Sequence, residues 1–226
     1  MFLFFNLTLC TAVFLILFHF LFCENLMKSI LWHMAFCTLM LLPNEGGSLE
    51  ISRKGAIVYL SGPVVSNDQF DFKEFMTDPQ QAGVQIIKLN STGGKTLSAI
   101  HMGRLIRSLK LTTWVDAKTD NCASACTILF ASGVNRHYTN AAFIKDGVYE
   151  KKSLKVGLGY HEAHVPQSLH ANHYSGAATA EEIRAFYEFG SPNAARLVPL
   201  APPDKLYKLS AQTALQLEIA TSLLAP

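Results

Sequence analysis

Three short stretches of this chain carry residue types that could do chemistry together. The first is Asn121-Cys122-Ala123-Ser124-Ala125-Cys126, where Ser124 opens a strongly apolar run, Ala123–Ser132. A hydroxyl at the first turn of a buried helix can face a cleft while the helix N-terminus favours negative charge beside it, as a nucleophile requires. The same serine also fits an N-cap, its oxygen then engaged by the helix's own amides. The second stretch is Asn90-Ser91-Thr92-Gly93-Gly94-Lys95-Thr96. A glycine pair between a strand and a helix lets backbone N–H groups approach a ligand closely, which suits a developing oxyanion as well as a plain turn. Its end imitates a phosphate-binding loop, but that loop needs glycine five positions before Gly94, and position 89 is leucine. The third is His161, which directly follows the apolar stretch Val156-Gly157-Leu158-Gly159-Tyr160. The end of a strand is a place where an imidazole is held firmly enough to serve as a base.

The other candidate ligands lead elsewhere. His161 and His164, and His170 and His173, are each three apart, whereas the helical zinc signature wants four. No metal and no cofactor are expected. Cys122 and Cys126 sit four apart; on one helix that spacing would put their Cα atoms about 6 Å apart, within reach of a disulfide. Two small buried hydrophobes are the alternative.

The elements that must position these residues alternate. Ala56–Leu60 and Val84–Leu89 read as buried strands, Phe70–Thr77 as a helix stopped by Asp78-Pro79, and Leu111–Val115 as a third strand. A helix from Thr96 to Lys110 places Met102, Leu105, Ile106 and Leu109 on one face. Ala123–Ser132 predicts a fully buried helix closed by Gly133; Lys155–Tyr160 a strand; Glu181–Phe189 a helix capped by Gly190; and Ser210–Leu217 a last helix. Such alternation argues for one layered α/β domain with a parallel sheet over residues 43–226.

Residues 1–42 are different in kind. They hold one acid, Glu24, and one base, Lys28, so the rest of the chain keeps the net charge of +2. That near-neutral balance, with no basic stripe, argues against a nucleic-acid partner. Residues 2–23 carry no formal charge and are long enough to span a bilayer. Read from Met27, the chain instead begins Met-Lys, runs apolar to Leu42 and turns polar, the outline of a signal peptide with Met27 as the true start. Signal or membrane anchor, the domain that follows is expected in the periplasm or secreted, where a cysteine pair can be oxidised.

In this order and spacing the elements resemble the Clp protease proteolytic subunit of the Clp/crotonase superfamily. The resemblance rests on Ile86–Gly94 before a helix, Ser124 opening a buried helix that ends Ala131-Ser132-Gly133, and His161 after a strand. The Cys-Ala-Ser-Ala-Cys and Gly-Tyr-His elements are similar to predicted periplasmic proteins of that superfamily. The resemblance implies Ser124 as nucleophile, His161 as base, and the N–H groups of Gly93, Gly94 and Ala125 as the oxyanion hole. An acid near the C-terminus orients the histidine in that family, and Asp204 is the candidate here. It also implies a peptide or protein substrate and assembly into homo-oligomers. Two departures stand out: Thr92 where the family has proline, and an insert around Phe143–Lys155 carrying Lys145, Lys151, Lys152 and Lys155. Exported relatives use lysine as the base, so a Ser/Lys pair is the variant to weigh. An inactive binding or assembly module on the same fold is the alternative to a hydrolase. Acyl-CoA chemistry fits poorly with export.

Overall fold

The aliphatic runs become strands and the amphipathic stretches between them become helices that cover the strands. A computed structural model describes residues 47–167 and 171–226. The apolar segment, its signal or anchor role and the start at Met27 lie outside the described residues. In chain order the elements are β1 (Glu50–Lys54), β2 (Ile57–Ser61), α1 (Asp68–Thr77), β3 (Ile86–Asn90), α2 (Thr96–Ser108), β4 (Thr112–Asp116), β5 (Asn121–Ala123), α3 (Ala125–Ser132) and β6 (Arg136–Thr139). There follow β7 (Gly147–Glu150), β8 (Gly157–Tyr160), β9 (His164–Gln167), β10 (Ala171–Tyr174), α4 (Gly176–Glu188), α5 (Pro192–Ala195), β11 (Lys205–Lys208) and α6 (Ala211–Gln216).

Five strands form one sheet in the order β1-β2-β3-β4-β6, with β2, β3, β4 and β6 parallel and β1 antiparallel at the edge. Val58 and Leu60 on β2 and Ile87 and Leu89 on β3 are fully buried on one face, the period-two burial a covered sheet requires. Against it lies α3, all eight of whose residues are buried, so its apolar character all round is what its position demands. The α2 stripe holds through Met102 and Ile106, but the helix ends at Ser108 and Leu109 falls outside it, exposed.

A second sheet, in the order β5-β8-β11-β7, is where the structure departs from expectation. Ala123, expected as the first residue of the buried helix, instead ends β5, which pairs parallel with β8 (Ala123 opposite Gly159). The lysine-rich insert contributes β7, and the proline-rich tail contributes β11, antiparallel to both β7 and β8. The stretch expected as a histidine loop holds the β9–β10 hairpin, and α4 starts five residues early, its first turn capped by Ser175 Oγ accepting from Ala178 N–H at 3.3 Å. The fold is thus α/β with a parallel sheet, as predicted, plus a second mixed sheet. Among the described residues no helix is long and apolar enough to cross a membrane.

Candidate functional site

The two sheets meet at a seam made by the glycine loop. Ser91 N–H donates to Asn121 O at 2.7 Å and Ala123 N–H donates to Ser91 O at 3.1 Å, joining the end of β3 to β5. On the loop's other edge Val64 N–H donates to Gly93 O at 2.8 Å and Lys95 N–H to Val64 O at 2.9 Å. In such a parallel bridge the residue between the two bonded groups turns its own N–H away from the partner. Gly94 is that residue, and among the described residues its N–H makes no hydrogen bond. The Gly93 N–H differs: it is taken by Ser91 Oγ at 3.1 Å. Both glycines have positive φ, 87° and 140°. A Cβ on Gly93 would come within 2.8 Å of Ala125 N, and one on Gly94 would overlap the Val64 carbonyl, so the loop can approach its neighbours this closely only without side chains.

Ser124 stands at the turn from β5 into α3, with φ 55° and ψ −130°, a conformation that L-residues rarely adopt. Its N–H is tied to Gly159 O at 2.8 Å, and its carbonyl accepts from Thr127 N–H at 2.8 Å and Thr127 Oγ1 at 2.7 Å. Its side chain makes no capping bond. The backbone is therefore fixed on both sides while, among the described residues, the hydroxyl has no hydrogen-bond partner, the reverse of what an N-cap serine does. Ala125, the first residue of α3, has an N–H without an intrahelical acceptor. Cys122 and Cys126 lie on either side of this turn, one on β5 and one on α3, rather than on one helix as their spacing suggested. Their sulfurs stand at bonding separation and their Cα atoms are 5.1 Å apart.

Ser124, Gly93, Gly94 and His161 line one cavity of about 310 Å³, together with Lys151 and His164. His161 is only 2% exposed, and its Nδ1 lies 2.6 Å from the Glu162 carbonyl. A carbonyl can only accept, so Nδ1 carries the proton and Nε2 the lone pair. Burial pushes His161 down to about 4; Lys151 and His164 add to that effect, against the bond to Glu162. No hydrogen bond joins His161 to Ser124 Oγ. The His164 ring lies 5.8 Å from that of His161, and its own pKa is lowered by burial and by Lys151.

Asp204 is not brought to the imidazole. It is exposed, just before β11, and the atom it was expected to hold is held by the Glu162 carbonyl. Of the insert lysines, Lys145, Lys152 and Lys155 are exposed, whereas Lys151 turns into the cavity, half-buried, its pKa lowered by burial and partly restored by Asp204. The Glu162 carbonyl and the Val64 pairing left no trace in residue types, since both are backbone groups. Among the described residues no cluster of His, Cys, Asp or Glu could hold a metal ion.

Two solved structures of the 1510-N membrane-bound stomatin-specific protease are similar to this chain. One, in a form with a serine replaced by alanine, aligns with a TM-score of 0.52 at 14% identity over 76% of this chain and 81% of that one. The other, with a lysine replaced by alanine and in complex with a substrate peptide, gives 0.51 at 13% identity over 74% and 73%. The ClpP protease catalytic domain from Plasmodium falciparum gives 0.46 at 12% identity over 75% and 85%. No family model and no curated protein matches the chain. At these identities the likeness establishes the fold alone: the chain has the α/β fold of the stomatin-specific protease structures.

Proposed function

We propose that this domain is a serine hydrolase that cleaves peptide bonds through Ser124, with His161 as its base. The observation that carries the reading is the state of Ser124: strained backbone, free hydroxyl, and a cavity shared with the lone pair of a buried imidazole. Strain of this kind is kept only where the surrounding structure over-determines it, and it clusters at active sites. In the reaction Ser124 Oγ attacks the substrate carbonyl as its proton passes to His161 Nε2. The oxyanion is received by the N–H groups of Gly94 and Ala125, which no acceptor among the described residues uses. Gly93 serves the hole by its conformation rather than as a donor, its own N–H being held by Ser91. The tetrahedral adduct collapses to an acyl-enzyme as the imidazolium returns its proton to the leaving amine, and water then repeats the sequence. Hydrogen bonds of this kind tighten on substrate binding, so the open Ser124–His161 pair is compatible with the role. That a similar fold is a protease with a substrate peptide bound supports the peptide as substrate.

Lys151 gives a second reading, as the base in place of His161, because it faces the same cavity and burial weakens its hold on a proton. His161 is preferred because its Nε2 is unprotonated at neutral pH, whereas an ammonium must first lose its proton. A fluorophosphonate probe tests the whole reading: the chain labels, and Ser124→Ala abolishes labelling. An inactive module would not label at all. His161→Ala lowers the labelling rate by several orders of magnitude; if Lys151→Ala does so instead, the base is Lys151. The cysteine pair and the apolar N-terminus support a location outside the cytosol, in the periplasm or secreted, with the N-terminus as signal or tether. Homo-oligomer formation follows from the resemblance alone and is checked by sedimentation.

A further inference from the structure

The walls of the cavity carry charge of one sign. Lys151 is half-buried in one wall, Lys95 stands exposed at the glycine loop, and no carboxylate lines the space. Among the described residues neither lysine forms an ion pair. The one carboxylate whose charge Lys151 feels, Asp204, lies outside the lining, so the partly desolvated ammonium has no carboxylate partner inside the cavity. The turn after β7 that carries it is held in place: Ser153 N–H and Oγ both bond Glu150 O, and β7 pairs with β11 along its length. Lys152 and Lys155 reach solvent from the same loop, so the loop's geometry selects one lysine for the interior. Ser124 and Gly94 line the same space, and they fix where a scissile carbonyl would sit.

We propose that Lys151 binds a carboxylate of the substrate next to the scissile bond, so that the site selects peptides with negative charge there. The inference rests on the serine-hydrolase reading above and gives it a substrate class. Two sources offer the same chemistry: an aspartate or glutamate side chain flanking the cleaved bond, or the free C-terminal carboxylate of a peptide cut near its end. A charge-assisted bond in a site of low polarity discriminates a carboxylate from its amide by about 10- to 100-fold.

The experiment uses internally quenched peptides in matched pairs, aspartate against asparagine on either side of the cleaved bond, and carboxylate against carboxamide at the C-terminus. The wild-type chain cleaves the charged member of one pair faster by about tenfold or more, and the pair that responds identifies the source. Lys151→Glu inverts the ratio toward the neutral member, Lys151→Arg preserves it, and the exposed Lys152→Glu leaves it as in wild type. Equal rates within every pair, alongside labelling of Ser124 by the uncharged probe, overturn the carboxylate proposal and leave the hydrolase standing. Absence of labelling in the wild type overturns the hydrolase reading itself. Loss of labelling in Lys151→Arg, to the level of Ser124→Ala, makes Lys151 the base and overturns its role here.

Discussion

The two sheets of this domain are held together by different forces, and the difference explains where chemistry can sit. In the five-stranded sheet the strands β1 to β4 are five residues long, and β2 to β4 and α3 bury leucine, isoleucine and valine against one another. Apolar burial of this kind is tolerant of small shifts. The four-stranded sheet has strands of three and four residues, and β8 is Gly-Leu-Gly-Tyr. What fixes it is directional: Tyr138 Oη accepts from Leu158 N–H at 3.2 Å and donates to Leu209 O at 3.0 Å. The fully buried Lys208 donates to Val156 O at 2.9 Å and to Asn121 Oδ1 at 3.3 Å, its pKa lowered to about 8 by burial. Ser124 and His161 both hang from this second sheet, Ser124 through its bond to Gly159 and His161 as the residue after β8. A site needs angles as well as proximity, and hydrogen bonds supply angles.

If that division holds, damage at the seam between the sheets must cost activity, and damage within the five-stranded sheet must cost stability. Among the tests of this division, the largest effect is expected for Gly94→Ala. Its Cβ would overlap the Val64 carbonyl, so the loop must shift and carry the free N–H with it. Loss of one oxyanion donor lowers turnover by roughly 100- to 1000-fold. Fluorophosphonate labelling of Ser124 should slow to that degree per folded molecule, beyond whatever stability the strained position costs. Undiminished labelling would remove Gly94 from the machinery.

The converse test is Ile87→Ala. Ile87 is fully buried on β3, well inside the five-stranded sheet. Truncation leaves a cavity and should destabilise by about 3 kcal/mol, which for a domain of this size lowers Tm by roughly 10 °C. The labelling rate per folded molecule should stay at the wild-type value. If it falls in step with stability, the two sheets are not separable in the way described.

The same division sets how much was legible in the sequence. The five-stranded sheet and its helices could be read because aliphatic strands and amphipathic helices announce themselves by period, and α1, β2, β3 and β4 fall within about two residues of their predicted limits. The places of His161 after a strand and of the glycine pair between a strand and a helix were legible through residue type and pattern. The four-stranded sheet was not, except for β8. A three-residue strand such as β5 has no period to detect, and a strand such as β11, Lys-Leu-Tyr-Lys, buries a lysine that composition assigns to the surface. Asp204 is what the resemblance implies as the histidine's acid, but the imidazole's partner is a backbone carbonyl, which no side-chain pattern can reveal.

A third test bears on the turn between β5 and α3. Cys122 and Cys126 clasp it from both ends and are wholly buried. Replacing both by alanine removes a short covalent loop, worth about 2 kcal/mol by chain entropy, and releases the strained φ of Ser124 toward ordinary values. Denaturant unfolding should show the stability loss, and labelling should fall further than the lost folded fraction explains. Labelling that tracks the folded fraction alone would make the pair a staple without influence on the nucleophile. A free-thiol assay on the unfolded, unreduced chain reports whether the bond exists.

The smallest effect concerns a group that neither sheet uses. Glu182 on α4 is buried, its Oε1 has no hydrogen-bond partner, and burial raises its pKa to about 8. It is therefore neutral in the folded chain near pH 6, where the unfolded chain would already ionise it. A raised folded pKa gives stability that is complete below the unfolded value near 4.5 and is lost as pH rises through about 8. His161 acts with the opposite sign: its depressed pKa gives stability present above about 6.5 and lost as pH falls toward about 4. Acidification should thus weaken the domain through the site, and alkalinisation through α4. In Glu182→Gln the alkaline limb loses its cause and the acid limb keeps it. Thermal melts at pH 5, 7 and 9 should give a difference from wild type that is smallest at pH 5 and grows with pH, by a few degrees for each kcal/mol, or roughly 2–4 °C. A difference that stays constant across the three would mean that Glu182 does not titrate between pH 5 and 9.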